Sequence, residues 1–418
     1  MAARLLEHAD YDAGFKAAAL GEGPLCVAVS GGGDSLALLA LLQDRKPPMG
    51  LRALIVDHGM RPGSARIAAE AAERALSLGV TAEVISLTWD GRPAPLDHAR
   101  ARAARYRALT QAMRRHGARV LAVAHTQDDQ AETALIKWAR LGDWRRATGM
   151  GVFAAAPDWP FGLGLWLWRP LLGVRRDALR AWLKSRGQPW ADDPANDAQR
   201  YQRARARALI AAGAIDGPRL ASLAKGLRRR QTRQDAAAYQ ALVDRAHVES
   251  DQAWFNPDPM HPGDMRALGA LCAAVAGANR APDPHGLARA VAGRRATVAG
   301  VVLRAEAGGF RLSREAAALS GRSGVAPMPP YALQIGVPVL ADGRAVITAL
   351  RPAQSLVADP TLGLAIEEND ARRPLQSDHG ATVEWLIHAH LRHRLASSDP
   401  FLGCKCSEAV QRALGLLS

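Results

Sequence analysis

Ser30-Gly31-Gly32-Gly33-Asp34-Ser35 follows the apolar run Leu25-Cys26-Val27-Ala28-Val29 and opens into Leu36-Ala37-Leu38-Leu39, a strand passing through a glycine turn into a helix. Such a turn aims several backbone N–H groups and the positive end of a helix at one point, which is an anion site. Three glycines let the backbone approach a bulky anion closely. The spacing is not Gly-x-x-x-x-Gly-Lys-[Ser/Thr], and no lysine follows to reach over a phosphate. Asp34 therefore raises a question, because it puts a negative charge beside a phosphate site. It either caps the helix or meets a triphosphate through Mg2+, whose charge inverts the local electrostatics. We read Ser30 to Ser35 as the nucleotide-phosphate turn and Asp34 as its metal contact.

A second constellation lies in His125-Thr126-Gln127-Asp128-Asp129-Gln130-Ala131-Glu132. On a helix, Asp128, Asp129 and Glu132 share one face within a turn, while Ala131, Ala134, Leu135 and Trp138 read as the buried stripe. Three carboxylates on one face suit a cation. An acidic first turn complementing the helix dipole explains Asp128 and Asp129, but is weaker for all three beside His125. His58 and Arg61, in Asp-His-Gly-Met-Arg, fall just past another apolar run, where they either line a nucleotide pocket or cap the chain.

These residues need a frame that gathers them. Apolar runs at Leu25–Ser30, Leu51–Gly59, Ala82–Trp89 and Arg119–Thr126 alternate with helical patterns, which implies crossover units and a parallel sheet covered on both faces. The expected class is α/β, a doubly wound, Rossmann-like parallel sheet followed by a helical segment and a small C-terminal β-containing module. Ligands in such sheets bind beyond the carboxyl ends of the strands, where the polar clusters fall.

The chain has 418 residues, enough for two or three domains at roughly 150 residues each. With 48% hydrophobic and 22% charged residues, disorder is excluded as a bulk description. The net charge of +14 argues for a polyphosphate partner, nucleic acid above all. The charge clusters: Arg200, Arg203, Arg205, Arg207, Lys225, Arg228, Arg229, Arg230 and Arg233 run together with Asp216 as the acid nearby. Gly217-Pro218 is read as a boundary, giving a nucleotide-binding α/β domain over 1–217, a basic helical linker that binds nucleic acid over 218–292 and an α+β module over 293–418. That module has hairpins turning at Ala307-Gly308-Gly309 and Asp342-Gly343. Four cysteines, Cys26, Cys272, Cys404 and Cys406, make neither a disulfide framework nor a zinc motif. With no signal-like segment and no membrane-length apolar run, the expected location is cytoplasmic. Whether the chain forms a homodimer is left open.

The glycine turn resembles the signature of the PP-loop ATP pyrophosphatase superfamily. Within it the chain is similar to the tRNA(Ile)-lysidine synthetase family at Val56–Ala65, Ala101–Leu109, Ala124–Thr133, Arg169–Leu172 and Asp192–Arg207. The likeness covers about the first half. It implies that ATP, with Mg2+, adenylates the C2 oxygen of the first anticodon cytidine of a tRNA(Ile) with a CAU anticodon, and that the ε-amine of free L-lysine then displaces AMP. By the same resemblance Asp129 and Glu132, with Asp128 beside them, take the lysine amine, and Arg105 serves in activating the base. Arg203 and Arg207 contact phosphate, of ATP or of tRNA. His58 joins the nucleotide site, and Arg228, Arg229 and Arg230 bind tRNA. The sequence departs from the family pattern at Thr126, where a second histidine is usual, and at Ala195-Asn196 and Arg203-Ala204.

Rival readings are another PP-loop enzyme, such as a tRNA thiolase, and an RNA-binding protein without activity. The first needs cysteines near the site, and Cys26 alone lies in the α/β half. Binding alone, in turn, has no use for Asp34, Arg105, Asp129 and Glu132 together.

Overall fold

Strand β1 (Leu25–Ala28) is buried along its length, and its side chains part into two cores. Leu25 and Val27 join Leu36, Leu39, Trp168 and Leu179 on one side. Cys26 and Ala28 join Tyr106, Leu109 and Met113 on the other. A central strand covered on both faces must be apolar throughout, which is why it reads as an unbroken run. The computed structural model describes residues 11–395, apart from 61–62, 90–97, 159–160, 192–201, 259–260, 262, 279–280, 321–329, 336, 343, 352–353, 360–362, 369–370 and 376–380. Arg61, Arg200, Ala195-Asn196, Cys404 and Cys406 lie outside the described residues.

Around β1 stand β2 (Leu51–Asp57), β3 (Thr81–Ser86), β4 (Val120–Ala122), β5 (Phe153–Ala155) and β6 (Trp166–Trp168), in the order β3-β2-β1-β4-β6-β5. All pairs are parallel except β5 with β6. The doubly wound α/β expectation holds, and the short β5–β6 pair extends it.

The helices of this part of the chain are α1 (Tyr11–Ala18), α2 (Gly33–Asp44), α3 (Ser64–Ser77), α4 (His98–Arg115), α5 (Gln127–Leu141), α6 (Arg176–Ser185), α7 (Gln202–Ala211) and the first half of α8 (Gly217–Arg245). Helix α2 is buried continuously from Ser35 to Leu42, as expected of a helix that is apolar all round and enclosed by sheet and neighbouring helices. Helix α6 packs on it through Leu179 and Leu183. Two ion pairs align them: Arg176 Nε donates to Asp34 Oδ2 at 2.9 Å, and Arg186 forks onto Asp44 at 2.7 and 3.1 Å. Asp34 to Asp44 and Arg176 to Arg186 are equal steps along their helices, about 15 Å each at 1.5 Å per residue. The helices therefore run parallel, with both N-termini at the same end.

Gly217-Pro218 does not interrupt the chain. It starts α8, where proline's missing N–H costs nothing. The chain divides into two compact units inside α8, between Thr232 and Arg233. In the second unit β7 (Ala246–Glu249), β8 (Gln252–Phe255), β9 (Arg295–Val298), β10 (Val301–Glu306) and β11 (Gly309–Arg314) form an antiparallel sheet in the order β7-β8-β11-β10-β9. The β7–β8 hairpin falls within the stretch read as helical. Its turn carries Ser250 at φ 53°, with no glycine to announce it. Helices α9 (Asp264–Ala276) and α10 (Pro284–Ala292) share this unit's core with Leu303 and Leu312. The hairpin between β10 and β11 turns at Ala307-Gly308 as expected, and Pro338–Ala341 pairs with Ala345–Ala349 across the second expected turn. No helix among the described residues is long and apolar enough to cross a membrane.

Candidate active site

The turn after β1 is stiffened from within. Ser35 Oγ donates to Gly32 O at 2.9 Å and accepts from Ser30 N at 3.1 Å, with Ser30 Oγ 3.2 Å away. Gly31 stands at φ +83°, and a Cβ there would lie 3.3 Å from the Ala71 methyl. On Gly33 a Cβ would meet the Trp190 ring at 3.3 Å. Gly32 holds the N-cap position without a side-chain cap, so Asp34 is not the cap. The capping alternative for Asp34 is set aside, and its carboxylate is available for other work.

Helix α5 begins at the same end of the sheet. Thr126 caps it in a reciprocal box: Asp129 N donates to Thr126 Oγ1 at 3.3 Å, and Asp129 Oδ2 accepts from Thr126 N at 2.8 Å and Thr126 Oγ1 at 2.9 Å. The departure from the family pattern at Thr126 thus has a structural use. Asp129 spends one oxygen on the cap and turns the other, Oδ1, to Arg176 Nη2 at 3.2 Å. Glu132 is 1% exposed, and its Oε1 accepts from Arg207 Nε at 3.0 Å and Arg176 Nη1 at 3.5 Å. Asp128 behaves differently: its Oδ2 accepts from the backbone N of Arg176 at 2.8 Å and so ties down the start of α6. The buried stripe of α5 is Ala131, Ala134 and Leu135, whereas Trp138 is 44% exposed, contrary to its expected place in that stripe. Trp138 sits near the last turn, beyond the buried part of the helix.

One guanidinium, that of Arg176, therefore touches Asp34, Asp129 and Glu132 together. The phosphate turn and the acidic face of α5 are within reach of a single side chain. Arg176 arrives there for two reasons: α6 packs parallel to α2, and Gln127 N donates to Val174 O at 2.9 Å, joining the start of α5 to the chain just before α6. Burial lowers the Arg176 pKa, but Asp129, Asp34 and Glu132 together raise it well above the usual value. Burial raises Asp34 against the opposing hydrogen bond from Arg176, and the net shift is upward. For Asp129 burial is again the largest effect, yet Arg176 and the Thr126 bonds outweigh it and hold the carboxyl below its ordinary value. Two buried oxygens, Asp34 Oδ1 and Glu132 Oε2, have no hydrogen-bond partner among the described residues.

Behind α5, Arg169 Nη1 donates to Gly151 O at 2.9 Å and its Nε to His125 Nδ1 at 3.2 Å. The His125 proton is thereby assigned to Nε2. Burial first, then Arg169, push the His125 pKa down to about 3, so the ring is neutral at working pH. Arg105, on α4, is partly buried, and burial, with the neighbouring charge of Arg102, lowers its pKa. A cation held in this way is suited to an anion. His58 lies past β2, and its carbonyl accepts from Trp89 Nε1 at 2.7 Å.

The basic residues separate into different settings. Arg207 is drawn to Glu132, while Arg203 is exposed. Arg229 and Arg230 are exposed on α8, but Arg228 is half-buried beside Gly151 and bonds Gln231 at 3.3 Å. Cys26 is fully buried in β1, and burial pushes its thiol up to about 12, which removes it as a nucleophile near neutrality. Sequence reading missed Arg176. A signal was present, since Arg175-Arg176 put cations at a helix N-terminus against the dipole. A broken local rule of that kind points to an acidic partner elsewhere.

Residues 7–213 match a family model described as a PP-loop domain. The chain is similar to tRNA(Ile)-lysidine synthase of Hyphomonas neptunium, at 35% identity over 314 residues, covering 73% of this chain and 83% of the relative. It is 33% identical over 416 residues to the synthase of Mesorhizobium japonicum, covering 94% and 83%. With that of Brucella ovis it shares 37% over 324 residues, covering 72% and 71%.

Proposed function

The chain belongs to the tRNA(Ile)-lysidine synthase family, and on that premise we propose that it joins free L-lysine to C2 of the wobble cytidine of a CAU-anticodon tRNA(Ile) through an adenylated tRNA. ATP is the energy source of this PP-loop family. The observation that carries the reading is the juxtaposition of the glycine turn with Asp129 and Glu132, all within one guanidinium's span.

In the first step the cytidine C2 oxygen attacks the α-phosphorus and pyrophosphate leaves. The turn from Ser30 to Ser35 supplies backbone donors and a helix N-terminus for the phosphates, and Arg105 supplies charge for the activated oxygen. Asp34 fits Mg2+, which takes one or two carboxylates and completes its shell with substrate phosphates. Its unpartnered Oδ1 is suited to that role, and no group of three or more metal-ligating side chains is present among the described residues. When bound, the ion would neutralise triphosphate charge beside Asp34.

In the second step the lysine ε-amine attacks C2, the C2–O bond breaks and AMP leaves. With an ordinary pKa near 10.4, only about one amine in a few thousand is unprotonated at pH 7. Asp129 and Glu132 hold the ammonium, and Glu132, with a free oxygen, takes the proton. Cys26 offers no thiolate for the rival sulfur transfer. The test is incubation with ATP, labelled lysine and unmodified CAU-anticodon tRNA(Ile). Label is expected at the first anticodon nucleotide, dependent on ATP; incorporation of sulfur or ammonia instead would overturn the reading.

A further inference from the structure

We propose that Arg176 is an internal stand-in for the substrate ammonium, holding the carboxylate cradle until ATP draws its guanidinium onto the phosphates. The proposal rests on the lysine-ligase reading above. Asp34, Asp129 and Glu132 each approach a different nitrogen of Arg176, at 2.9, 3.2 and 3.5 Å, and the side chain is only 15% exposed. Three carboxylates brought together, two of them buried, would repel one another without a cation, and one planar cation placed among them offsets that repulsion and holds them in place.

The cradle nevertheless accepts more than Arg176 donates. Asp34 Oδ1 and Glu132 Oε2 are buried without partners among the described residues, so the site has acceptor capacity for further donors. An ammonium bound to Asp129 and Glu132 would lie against the guanidinium, two cations in a poorly solvated place. Lysine and Arg176 in its present position therefore exclude each other. The guanidinium has a destination close by, because Asp34 is part of the phosphate turn and a guanidinium forks readily onto phosphate. Arg176 thus couples the two sites: nucleotide binding clears the amine site, and lysine binds second.

The experiment measures lysine binding by calorimetry to the full chain, with and without Mg2+ and a non-hydrolysable ATP analogue, alongside steady-state adenylation. In the wild type the analogue is expected to tighten lysine binding about tenfold, the factor corresponding to ~1.4 kcal/mol. Arg176→Gln is expected to bind lysine about tenfold more tightly than wild type without nucleotide, to lose the nucleotide effect, and to raise the KM for ATP by a similar factor. Opposite movements of the two affinities are not what a purely structural residue would produce. Should the glutamine variant fail to fold in a thermal melt, Arg176→Lys, which keeps charge but not the fork, is expected to show smaller shifts of the same signs. Unchanged or weaker lysine binding in the folded variants would overturn the proposal while wild-type ligation stands. Absence of lysine transfer by the wild type would instead remove the function reading, and this proposal with it.

Discussion

Replacing Glu132 by glutamine removes one charge and no volume at a residue that is 1% exposed. The cost to the fold follows from its two ion pairs. Breaking a fully buried pair costs ~3–5 kcal/mol, but Arg207 is 36% exposed and can be rehydrated, and Arg176 keeps Asp34 and Asp129. The glutamine carbonyl still accepts a hydrogen bond from Arg207, which leaves a loss of about 1.5–3 kcal/mol, the worth of a charged hydrogen bond. Function should suffer more and in one step only. Without Glu132 the ammonium loses a counter-ion, and the base that takes its proton is gone, an effect of ~10²–10⁴ in rate. The assay separates the steps: transfer of α-phosphate label from ATP to tRNA without lysine, then chase with lysine. Adenylation is expected to stay within about threefold while lysine transfer falls by the full factor. Equal loss of both steps, or retention of lysine transfer, would refute the assignment.

Other expectations follow from single features of the structure. Asp34→Asn should weaken nucleotide binding, and because burial raises the Asp34 pKa, wild-type affinity for ATP should begin to fall on acidification above the ordinary carboxylate range; an Asn variant with the same acid limb would contradict this. His125, at about 3 in the fold, is charged in the unfolded chain below about 6.5, so its contribution is lost as pH falls through that window. At ~1.4 kcal/mol per pH unit, His125→Asn should lose about 2 kcal/mol less than wild type in urea unfolding between pH 7.5 and 5, and parallel losses would count against it. Gly31→Ala, strained at φ +83° and tight against Ala71, should raise the KM for ATP, whereas an unaltered KM would mean the turn does not carry phosphate. Neutralising Arg229 and Arg230 should lower the slope of log affinity against log salt for tRNA by about one per lost phosphate contact, with Arg228→Gln adding destabilisation because it is half-buried.

What the amino-acid order determined by itself was local: the unbroken apolar run of Leu25–Ala28, the glycine turn, the acidic first turn of α5 and the clustering of arginines. Each depends on neighbours a few residues apart, where propensity and spacing act directly. The β7–β8 hairpin escaped because its turn uses Ser250 in a left-handed conformation instead of glycine. Trp138 escaped because helical period tells which residues share a face, but not where along the helix the covering ends. Tertiary structure alone decided that Asp128 anchors α6 and that Arg176 meets three carboxylates, two of them more than forty positions away and one more distant still. Contacts across such separations come from the parallel packing of α2 and α6 and from the backbone tie between Gln127 and Val174. No local pattern encodes the sum of those placements.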